Sequence, residues 1–326
     1  MTKISASTST RILVTGGAGY IGAIATNLLL DAGYEVVVLD DLSTGHKESV
    51  DARAKFVHGS ILNKEEVKKA LAGCEGVLHF AGKSLVGESV LKPDLYVETN
   101  IEGSRNLLNV MCELGVKKII FSSSASTYGE PSSIPISENS ETKPTNPYGL
   151  SKLAVDQLLA ERSILDGFAA CSLRYFNVVG SLKTPNGWLN ESHDPETHLI
   201  PNVLKASQAK PLKIFGSDWP TADGTCIRDY VHVVDLVEAH ILALKNLTTP
   251  GHVVINLGSG RGYSVKEVID SASKISGTEI CVEMDERRAG DPAVLVASIS
   301  KAKEVLGWTP SRNLESMIRD SYEALL

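Results

Sequence analysis

The sequence lacks several features that would place it in other protein classes. Its 326 residues include five cysteines, which are widely spaced and form no Cys-x-x-Cys pair. We interpret them as free thiols in a reducing compartment and predict no metal site. No apolar run approaches the roughly 18 residues of a membrane-spanning helix, and the first ten residues contain no apolar segment typical of a signal peptide. These absences predict a cytoplasmic protein without membrane contact.

A large excess of charge of one sign is also missing. The 32 basic and 39 acidic residues leave a net charge of −7, which argues against a broad nucleic-acid surface. The hydrophobic content of 43% excludes a mainly disordered chain. A chain of this length has room for about two domains.

The sequence does contain a regular alternation of strand-like and helix-like segments. Short apolar runs bounded by glycine predict buried strands over residues 11–15, 35–40, 55–58, 76–80, 117–122, 169–175 and 253–256. Helix-forming segments cover residues 23–32, 64–71, 94–114 and 147–166. This pattern predicts an α/β fold of Rossmann type, a doubly wound parallel sheet with helices on both faces.

The alternation breaks in two stretches of less regular sequence. We therefore assign residues 10–176 and 230–257 to the sheet domain, and residues 177–229 and 258–326 to a smaller α/β domain. In this division the last predicted strand returns to the main sheet after the chain has passed through the smaller domain.

A glycine-rich turn lies between the first strand and the first helix. Gly16, Gly19 and Gly22 allow a tight turn whose backbone approaches a pyrophosphate at the helix N-terminus. Asp40 ends the second strand, where a carboxylate accepts both ribose hydroxyls of an adenosine and repels a 2′-phosphate. Its neighbour Asp41 is able to share this role. The turn and the acid together predict a binding site for NAD.

The segment Asn146-Pro-Tyr-Gly-Leu-Ser-Lys152 predicts a catalytic pair. Asn146 suits a helix N-cap and Pro147 the first helical position, so Tyr148 and Lys152 lie four residues apart on one helix face. A free tyrosine has a pKa of about 10. A nearby ammonium and a positive nicotinamide ring are expected to lower this pKa, so that the phenolate serves as a general base. The alternative is an exposed helix pair without a catalytic role.

A serine-rich segment follows the strand predicted near residue 120. Its hydroxyl groups are expected at the carboxyl edge of the sheet, where ligands bind in such folds. We predict that Ser124 hydrogen bonds to the oxygen that reacts; the alternative is an ordinary turn.

Together these residues resemble the extended short-chain dehydrogenase/reductase family and, within its NAD-dependent epimerase/dehydratase group, the UDP-glucose 4-epimerases. The resemblance covers nearly the whole chain. It rests on the strings Thr15-Gly-Gly-Ala-Gly-Tyr-Ile-Gly22, His79-Phe-Ala-Gly82, Val86-Gly-Glu-Ser89, Ser122-Ser-Ser-Ala125, Tyr148-Gly-Leu-Ser-Lys152, Arg174-Tyr-Phe-Asn177, Asp223-Gly-Thr225, Arg228-Asp-Tyr-Val-His232 and Arg287-Arg-Ala-Gly-Asp291.

The resemblance implies a reaction as well as a fold. Tyr148 would remove the proton of the sugar 4-hydroxyl while hydride passes from C4 to NAD, and the 4-keto sugar would turn over and take the hydride back on its other face. Ser124 would assist in both directions. The expected activity is the interconversion of UDP-glucose and UDP-galactose in a homodimer, which family members often build from the helices near residues 94–114 and 147–166.

By the same resemblance, residues from both predicted domains would contact the ligands. Those expected at NAD are Gly16, Gly19, Tyr20, Ile21, Gly22, Asp40, Asp41, Ser60, Ile61, Phe80, Ala81, Asn100, Ser122, Tyr148, Lys152 and Phe176. Those expected at the UDP-sugar are Ser124, Asn177, Leu199, Phe215, Arg228, Arg288, Asp291 and Leu295.

Several alternatives remain open. Leu295 stands where the family often has a bulky tyrosine, which leaves the acceptance of N-acetyl sugars undecided. A UDP-glucuronate 4-epimerase, or another nucleotide-sugar epimerase, needs the same three catalytic residues. Dehydratases of the family carry Asp-Glu where this chain has Ala125-Ser126, which disfavours a 4,6-dehydratase. A simple NAD(P)H reductase and a non-catalytic NAD-sensing protein on the same fold are the more distant alternatives.

Overall fold

The computed structural model describes residues 10–192, 196–287 and 292–326. Its strands are β1 (Arg11–Thr15), β2 (Glu35–Asp40), β3 (Lys55–His58), β4 (Gly76–His79), β5 (Lys118–Ser124), β6 (Ala169–Tyr175), β7 (Asn177–Val179), β8 (Leu182–Thr184), β9 (Gly187–Leu189), β10 (Leu212–Phe215), β11 (Ile227–Arg228), β12 (Tyr230–His232), β13 (Gly251–Leu257), β14 (Tyr263–Ser264), β15 (Val282–Asp285) and β16 (Val294–Leu295).

Its α-helices are α1 (Tyr20–Asp31), α2 (Lys64–Leu71), α3 (Val86–Leu91), α4 (Pro93–Tyr96), α5 (Gly103–Glu113), α6 (Pro147–Leu165), α7 (Leu199–Leu204), α8 (Val233–Asn246), α9 (Val265–Ser276), α10 (Ser300–Leu306) and α11 (Leu314–Glu323). Short 3₁₀ turns cover Lys47–Ser49 and Ala125–Thr127, and a π-helical segment, Val97–Glu102, joins α4 to α5. Within the described ranges, no helix combines the length and the apolar character needed to cross a membrane.

A parallel sheet forms the centre of the fold. Among the described residues it has seven strands in the order β13-β6-β5-β4-β1-β2-β3. The chain moves outward from β1 to β3 and then restarts on the other side of β1 with β4, so the strand order reverses between β1 and β4. The predicted Rossmann-type fold class is confirmed. The late strand also joins this sheet as predicted, because β13 pairs with β6.

Alternate residues of the strands feed two apolar cores, one on each face of the sheet. In β1, Ile12 and Val14 belong to the core that contains residues of α1 and α8. Leu13, between them, belongs to the core that contains residues of α2, α5 and α6. Successive side chains of a strand point to opposite faces, so strands buried on both faces need continuous apolar runs.

The other strands form small separate sheets. β10 pairs with β15, β8 with β9, β7 with β12, and β11 lies between β14 and β16. A third apolar core, which includes Val203, Ile214, Val268 and Met317, joins α7, β10, α9 and α11. The predicted domain limits near residues 176 and 229 fall beside the paired strands β7 and β12, and this division remains a prediction.

A buried carboxylate joins three distant parts of this smaller region. Asp229 directly follows β11 and is fully buried. It accepts hydrogen bonds from the backbone N–H groups of Ser259, Gly260 and Ala297, and from the hydroxyl of Ser259. These bonds fix the position of the neighbouring residue, Arg228.

Candidate active site

A pocket of about 1310 Å³ contains the first turn of α1 and side chains at the carboxyl ends of the parallel strands. It therefore lies beside the reversal of strand order between β1 and β4, where ligands of doubly wound sheets bind. Both regions of the fold line it. The sheet region contributes the glycine turn and Tyr148, and the smaller region contributes Arg228 and Leu295.

The glycine turn has the conformation that its sequence predicts. Gly16 has a φ of 70°, in the left-handed region that favours glycine. A Cβ atom on Gly22 would lie 2.1 Å from the carbonyl oxygen of Gly16, so the turn closes only with glycine at this position. α1 begins at Tyr20, directly after its N-cap Gly19. The first turn of a helix has unpaired N–H groups and a positive dipole end, which suit a phosphate.

Asp40 and Asp41 line the pocket at the end of β2. One oxygen of Asp40 accepts the N–H of Ala18 at 2.9 Å and the other accepts the N–H of Leu42 at 2.8 Å. Burial raises the pKa of Asp40, and these two bonds lower it. Each carboxylate oxygen can accept more than one hydrogen bond, so Asp40 retains capacity for the predicted ribose hydroxyls.

Helix α6 brings Tyr148 and Lys152 into the pocket. Its start is fixed as predicted, because the side chain of Asn146 accepts the N–H of Gly149 at 2.8 Å and Pro147 is the first helical residue. Tyr148 and Lys152 are both buried. The Lys152 Nζ atom lies 5.7 Å from the centre of the Tyr148 ring.

Burial dominates the electrostatics of this pair. Lys152 Nζ donates a hydrogen bond of 2.8 Å to the carbonyl oxygen of Ser122, and burial lowers the pKa of Lys152 to about 8. Burial raises the pKa of Tyr148, which a hydrogen bond with Ser124 lowers in part. The protein's own groups thus leave the pKa of Tyr148 above its usual value. The lowering expected from the ammonium together with a nicotinamide ring stays a prediction. Removal from water disfavours the charged form of both side chains.

Ser124 completes the predicted catalytic group. It is the last residue of β5, is buried, and hydrogen bonds to the Tyr148 side chain. Its Oγ atom also accepts the N–H of Ser126 at 3.1 Å, which orients the hydroxyl. The structure thus brings Ser124, Tyr148 and Lys152 together in one pocket.

Tyr175 supports this group, a role that we did not predict. Its hydroxyl hydrogen bonds to the hydroxyl of Ser122, whose carbonyl receives Lys152. Its ring centre lies 6.3 Å from that of His240. The string Arg174-Tyr-Phe-Asn177 marked this position in the sequence, but a strand pattern does not indicate which residue a tyrosine hydroxyl contacts.

Most residues predicted to contact NAD line the pocket. Besides those already described, they are Tyr20, Ile21, Ser60, Ile61, Phe80, Ala81, Ser122 and Phe176. Asn100 is not among them. Its amide bonds to both backbone groups of Lys83 and to the hydroxyl of Ser151, so it holds the segment around Lys83 against α6.

Only some of the residues predicted to contact the sugar nucleotide line the pocket. Asn177, Arg228 and Leu295 line the pocket, and Arg228 lies opposite Leu295 across the paired strands β11 and β16. Leu199 and Phe215 do not belong to its lining. Leu199 starts α7 and Phe215 ends β10. The predicted residues Arg288 and Asp291 lie outside the described residues.

An acidic cluster that we did not predict also lines the pocket. The Nδ1 atom of His198 lies 3.0 Å from Glu191 Oε1 and 2.9 Å from Glu196 Oε1. These two carboxylates overcome the effect of burial and raise the pKa of His198 to about 10. The three residues are close in the chain, but nothing in their spacing indicates that they face the sheet region.

The residues present fit a dinucleotide. A Cβ atom would lie 2.6 Å from a backbone atom at Gly16 and 2.1 Å from one at Gly22, so the turn requires glycine at both positions. Both glycines line the pocket beside the start of α1, where a phosphate is favoured. Asp40 keeps acceptor capacity at one end of the pocket, and Tyr148 and Lys152 lie with it in the same lining. This donor and acceptor set suits an adenosine ribose, a pyrophosphate and a nicotinamide ribose.

Comparison with known proteins decides the family. The model of the NAD dependent epimerase/dehydratase family matches residues 12–258. This chain belongs to that family. The family resemblance inferred from the sequence motifs is thereby confirmed, and the match spans the glycine turn, Ser124, Tyr148 and Lys152.

Individual members of the family match over nearly the whole chain. A UDP-glucose 4-epimerase of Corynebacterium glutamicum is 46% identical over 315 residues, which cover 96% of this chain and 94% of the relative. The crystal structure of UDP-glucose 4-epimerase from Brucella ovis in complex with NAD is 41% identical, with a TM-score of 0.93 over 97% of this chain and 98% of that one. The structure from Bifidobacterium longum in complex with NAD⁺ and UDP is 37% identical, with a TM-score of 0.90 over the same shares.

Proposed function

We propose that this chain interconverts UDP-glucose and UDP-galactose by epimerisation at C4, with NAD as its cofactor. The observation that carries the proposal is the meeting of Ser124, Tyr148 and Lys152 in one pocket with the glycine turn. Relatives with the name UDP-glucose 4-epimerase match nearly the whole chain, which supports the same substrate class.

The sheet region supplies the groups that would hold NAD. The turn from Gly16 to Gly22 suits the pyrophosphate, Asp40 the adenosine ribose, and Lys152 the nicotinamide ribose. When bound, NAD⁺ would supply reversible hydride chemistry at C4 of the sugar and a positive charge that would favour the Tyr148 phenolate.

Tyr148 carries the proton in this proposal. As a phenolate, its oxygen accepts the proton of the sugar 4-hydroxyl, and as a phenol it returns a proton to the same oxygen. Because burial raises the pKa of Tyr148, the phenolate depends on nearby positive charge. Lys152 holds its ammonium within the pocket through the Ser122 carbonyl, and Ser124 hydrogen bonds to the phenol.

The smaller region supplies the groups that would hold the UDP-sugar. The planar guanidinium of Arg228 can fork onto two oxygens, which suits a diphosphate. Asn177 and Leu295 line the pocket nearby, and the resemblance adds Arg288 and Asp291. Typical ligand pockets measure about 300–1,000 Å³. The volume of about 1310 Å³ leaves room for two nucleotides and for a keto sugar that turns over.

Incubation of the purified protein with UDP-galactose tests this function. UDP-glucose is expected to form without added NAD⁺. After the protein has been removed, the product is measured with a UDP-glucose dehydrogenase and NAD⁺. The NAD content is measured separately after denaturation. Absence of UDP-glucose from protein that contains NAD would reject the proposal.

A panel of further substrates separates the alternatives. Turnover of UDP-N-acetylglucosamine would show that Leu295 admits the acetyl group. Faster turnover of UDP-glucuronate than of UDP-galactose would reassign the substrate. Net consumption of NADH indicates a reductase, and bound NAD without turnover of any sugar nucleotide indicates a sensing protein.

We also propose that the chain forms a homodimer through α3, α6 and the π-helical segment that follows α4. Val90, Leu91, Val97 and Leu150 are exposed apolar side chains on these elements, and Leu91 is 82% exposed. Exposed apolar patches mark interaction sites. Sedimentation is expected to show a dimer for the wild type and a monomer for the double variant Leu91→Glu, Leu150→Glu; a monomeric wild type would overturn this proposal. The cytoplasmic location remains a prediction, which cell fractionation tests.

A further inference from the structure

Two glutamates and a histidine that take no part in the proposed proton transfer meet at the edge of the pocket. One donor atom from each of Glu191, Glu196 and His198 lies within 4.8 Å of the other two. We propose that these three side chains form a binding site for a divalent transition-metal cation. Carboxylate oxygens and an imidazole nitrogen are the ligands that Mn²⁺ and Zn²⁺ take in proteins.

The carboxylate of Glu196 supplies an independent observation that points to a ligand. Its side chain is only 8% exposed. Its Oε1 atom accepts the backbone N–H groups of Thr197 and His198, whereas Oε2 is buried and has no hydrogen-bond partner among the described residues. A buried carboxylate oxygen without a donor is unfavourable. Because both oxygens belong to one carboxylate, a cation at the cluster is within reach of Oε2 as well.

The spacing of the donor atoms suits a metal ion. Ligands about 2.1 Å from a tetrahedral ion lie about 3.4 Å from one another. The two distances from His198 Nδ1 to the glutamate oxygens are 3.0 and 2.9 Å. An expansion of about 0.5 Å therefore converts hydrogen-bond contacts into coordination distances. Three protein ligands leave a fourth position for water or for an oxygen of a bound ligand.

The negative charge of the cluster and its access to solvent also favour a cation site. Glu191 is nearly as buried as Glu196, with 9% of its side chain exposed. The carboxylates of Glu191 and Glu196 both lie within hydrogen-bond distance of the His198 imidazole, and a divalent cation would offset their negative charge. All three residues line the pocket, which gives a cation a path from solvent. The site does not rest on the proposed epimerase activity.

Metal titration of the untagged, chelator-treated full-length protein tests the site. Mn²⁺ is the probe, because it favours carboxylate oxygens over the five thiols. Free Mn²⁺ is measured by its electron paramagnetic resonance signal as the protein is added. We expect saturable binding of one Mn²⁺ per chain, and pulsed spectra of the bound ion are expected to show ¹⁴N coupling from the His198 ring.

Two variants and a matched control make the assignment specific. Glu196→Gln is expected to weaken Mn²⁺ binding at least tenfold, and His198→Gln to abolish the ¹⁴N coupling. Glu279→Gln, at an exposed loop position, is expected to leave both unchanged. Circular dichroism without metal checks folding, and His198→Gln decides if Glu196→Gln does not fold. No saturable binding, or equal binding by wild type and both cluster variants, would show that a proton alone holds the cluster together.

Discussion

The two regions that line the pocket are built in different ways. In the sheet region, alternating apolar residues fill a core on each face of continuous parallel strands. The reactive side chains lie at the end of β5 and in the first turns of α6. In the smaller region, the Asp229 carboxylate accepts hydrogen bonds from backbone N–H groups 30 and 68 positions further along the chain. The comparison teaches that regular structure positions the catalytic groups, whereas specific polar contacts position the groups that would recognise the substrate.

The largest expected effect comes from the reactive group of the sheet region. Tyr148→Phe is expected to lower kcat on the order of 1000-fold, because it removes the general base while its ring still packs. KM for UDP-galactose and the NAD content are expected to change little. Steady-state kinetics and nucleotide release measure these quantities. Tyr34→Phe, outside the pocket, is the matched control, and near-full activity of Tyr148→Phe would remove Tyr148 from the base role.

A pair of stability variants tests whether the two regions are held by different forces. Asp229→Asn is expected to lower the free energy of unfolding by about 3 kcal/mol, because an amide cannot accept all four hydrogen bonds. Leu78→Ala, in a core of the sheet, is expected to cost about as much through a cavity. Urea denaturation measures both changes.

Hydrogen exchange then locates the damage in each variant. Asp229→Asn is expected to speed exchange at the amides of Ser259 and Ala297 and to leave β1 protected, whereas Leu78→Ala is expected to affect the sheet. Asp270→Asn, at an exposed position of α9, serves as the control for loss of a carboxylate. Uniform loss of protection in Asp229→Asn would contradict the contrast between the regions.

Because Lys152 is buried, we expect it to lower the stability of the folded protein, by an amount that depends on pH, while it supports turnover. Burial lowers the pKa of Lys152 from 10.5 to about 8. Below pH 8 the folded protein carries the full cost of the buried charge, so Lys152→Met is expected to be more stable than wild type by about 3 kcal/mol at pH 7, with reduced turnover. Between pH 8 and 10.5 the unfolded chain binds more protons, so wild-type stability rises relative to the variant.

Urea denaturation of both proteins at pH 7 and pH 9.5 checks this sign. The difference in the free energy of unfolding between variant and wild type is expected to shrink at the higher pH. A difference that stays constant or grows would show that Lys152 does not titrate in this range.

The smallest expected effect concerns Tyr175, which lines the pocket and contacts the catalytic group through Ser122. Tyr175→Phe removes the hydrogen bond to Ser122 and is expected to lower kcat about fivefold, which corresponds to about 1 kcal/mol. KM is expected to stay near the wild-type value, since Tyr175 acts through Ser122 and Lys152. Tyr322→Phe is the control. A change in KM with unchanged kcat would contradict the positioning role.

Much of the sheet region follows from local sequence signals. The bounds of β1, β2, β3 and β6 and the Asn146 cap of α6 agree with the prediction, because each depends on residues within one segment. The glycine turn and the Tyr148–Lys152 spacing also depend only on residues within one segment.

Other features depend on how distant segments meet. The direction of the Tyr148 pKa follows from the burial of the whole pocket, and Asn100 is occupied by Lys83 and Ser151 rather than placed in the lining. The cluster at His198 and the positions of Leu199 and Phe215 are set by packing of the smaller region. Periodicity and motif spacing carry no information about such contacts.

Retention of deuterium at C4 of the sugar is the most direct test of the proposed epimerisation. UDP-galactose with deuterium at C4 is incubated with the protein in ordinary water, and the UDP-glucose formed is analysed by mass spectrometry and NMR. We predict that the deuterium remains at C4 of the product, because the hydrogen leaves this carbon as a hydride and returns to it without exchange with water. Replacement of the deuterium by hydrogen from the solvent would contradict the account.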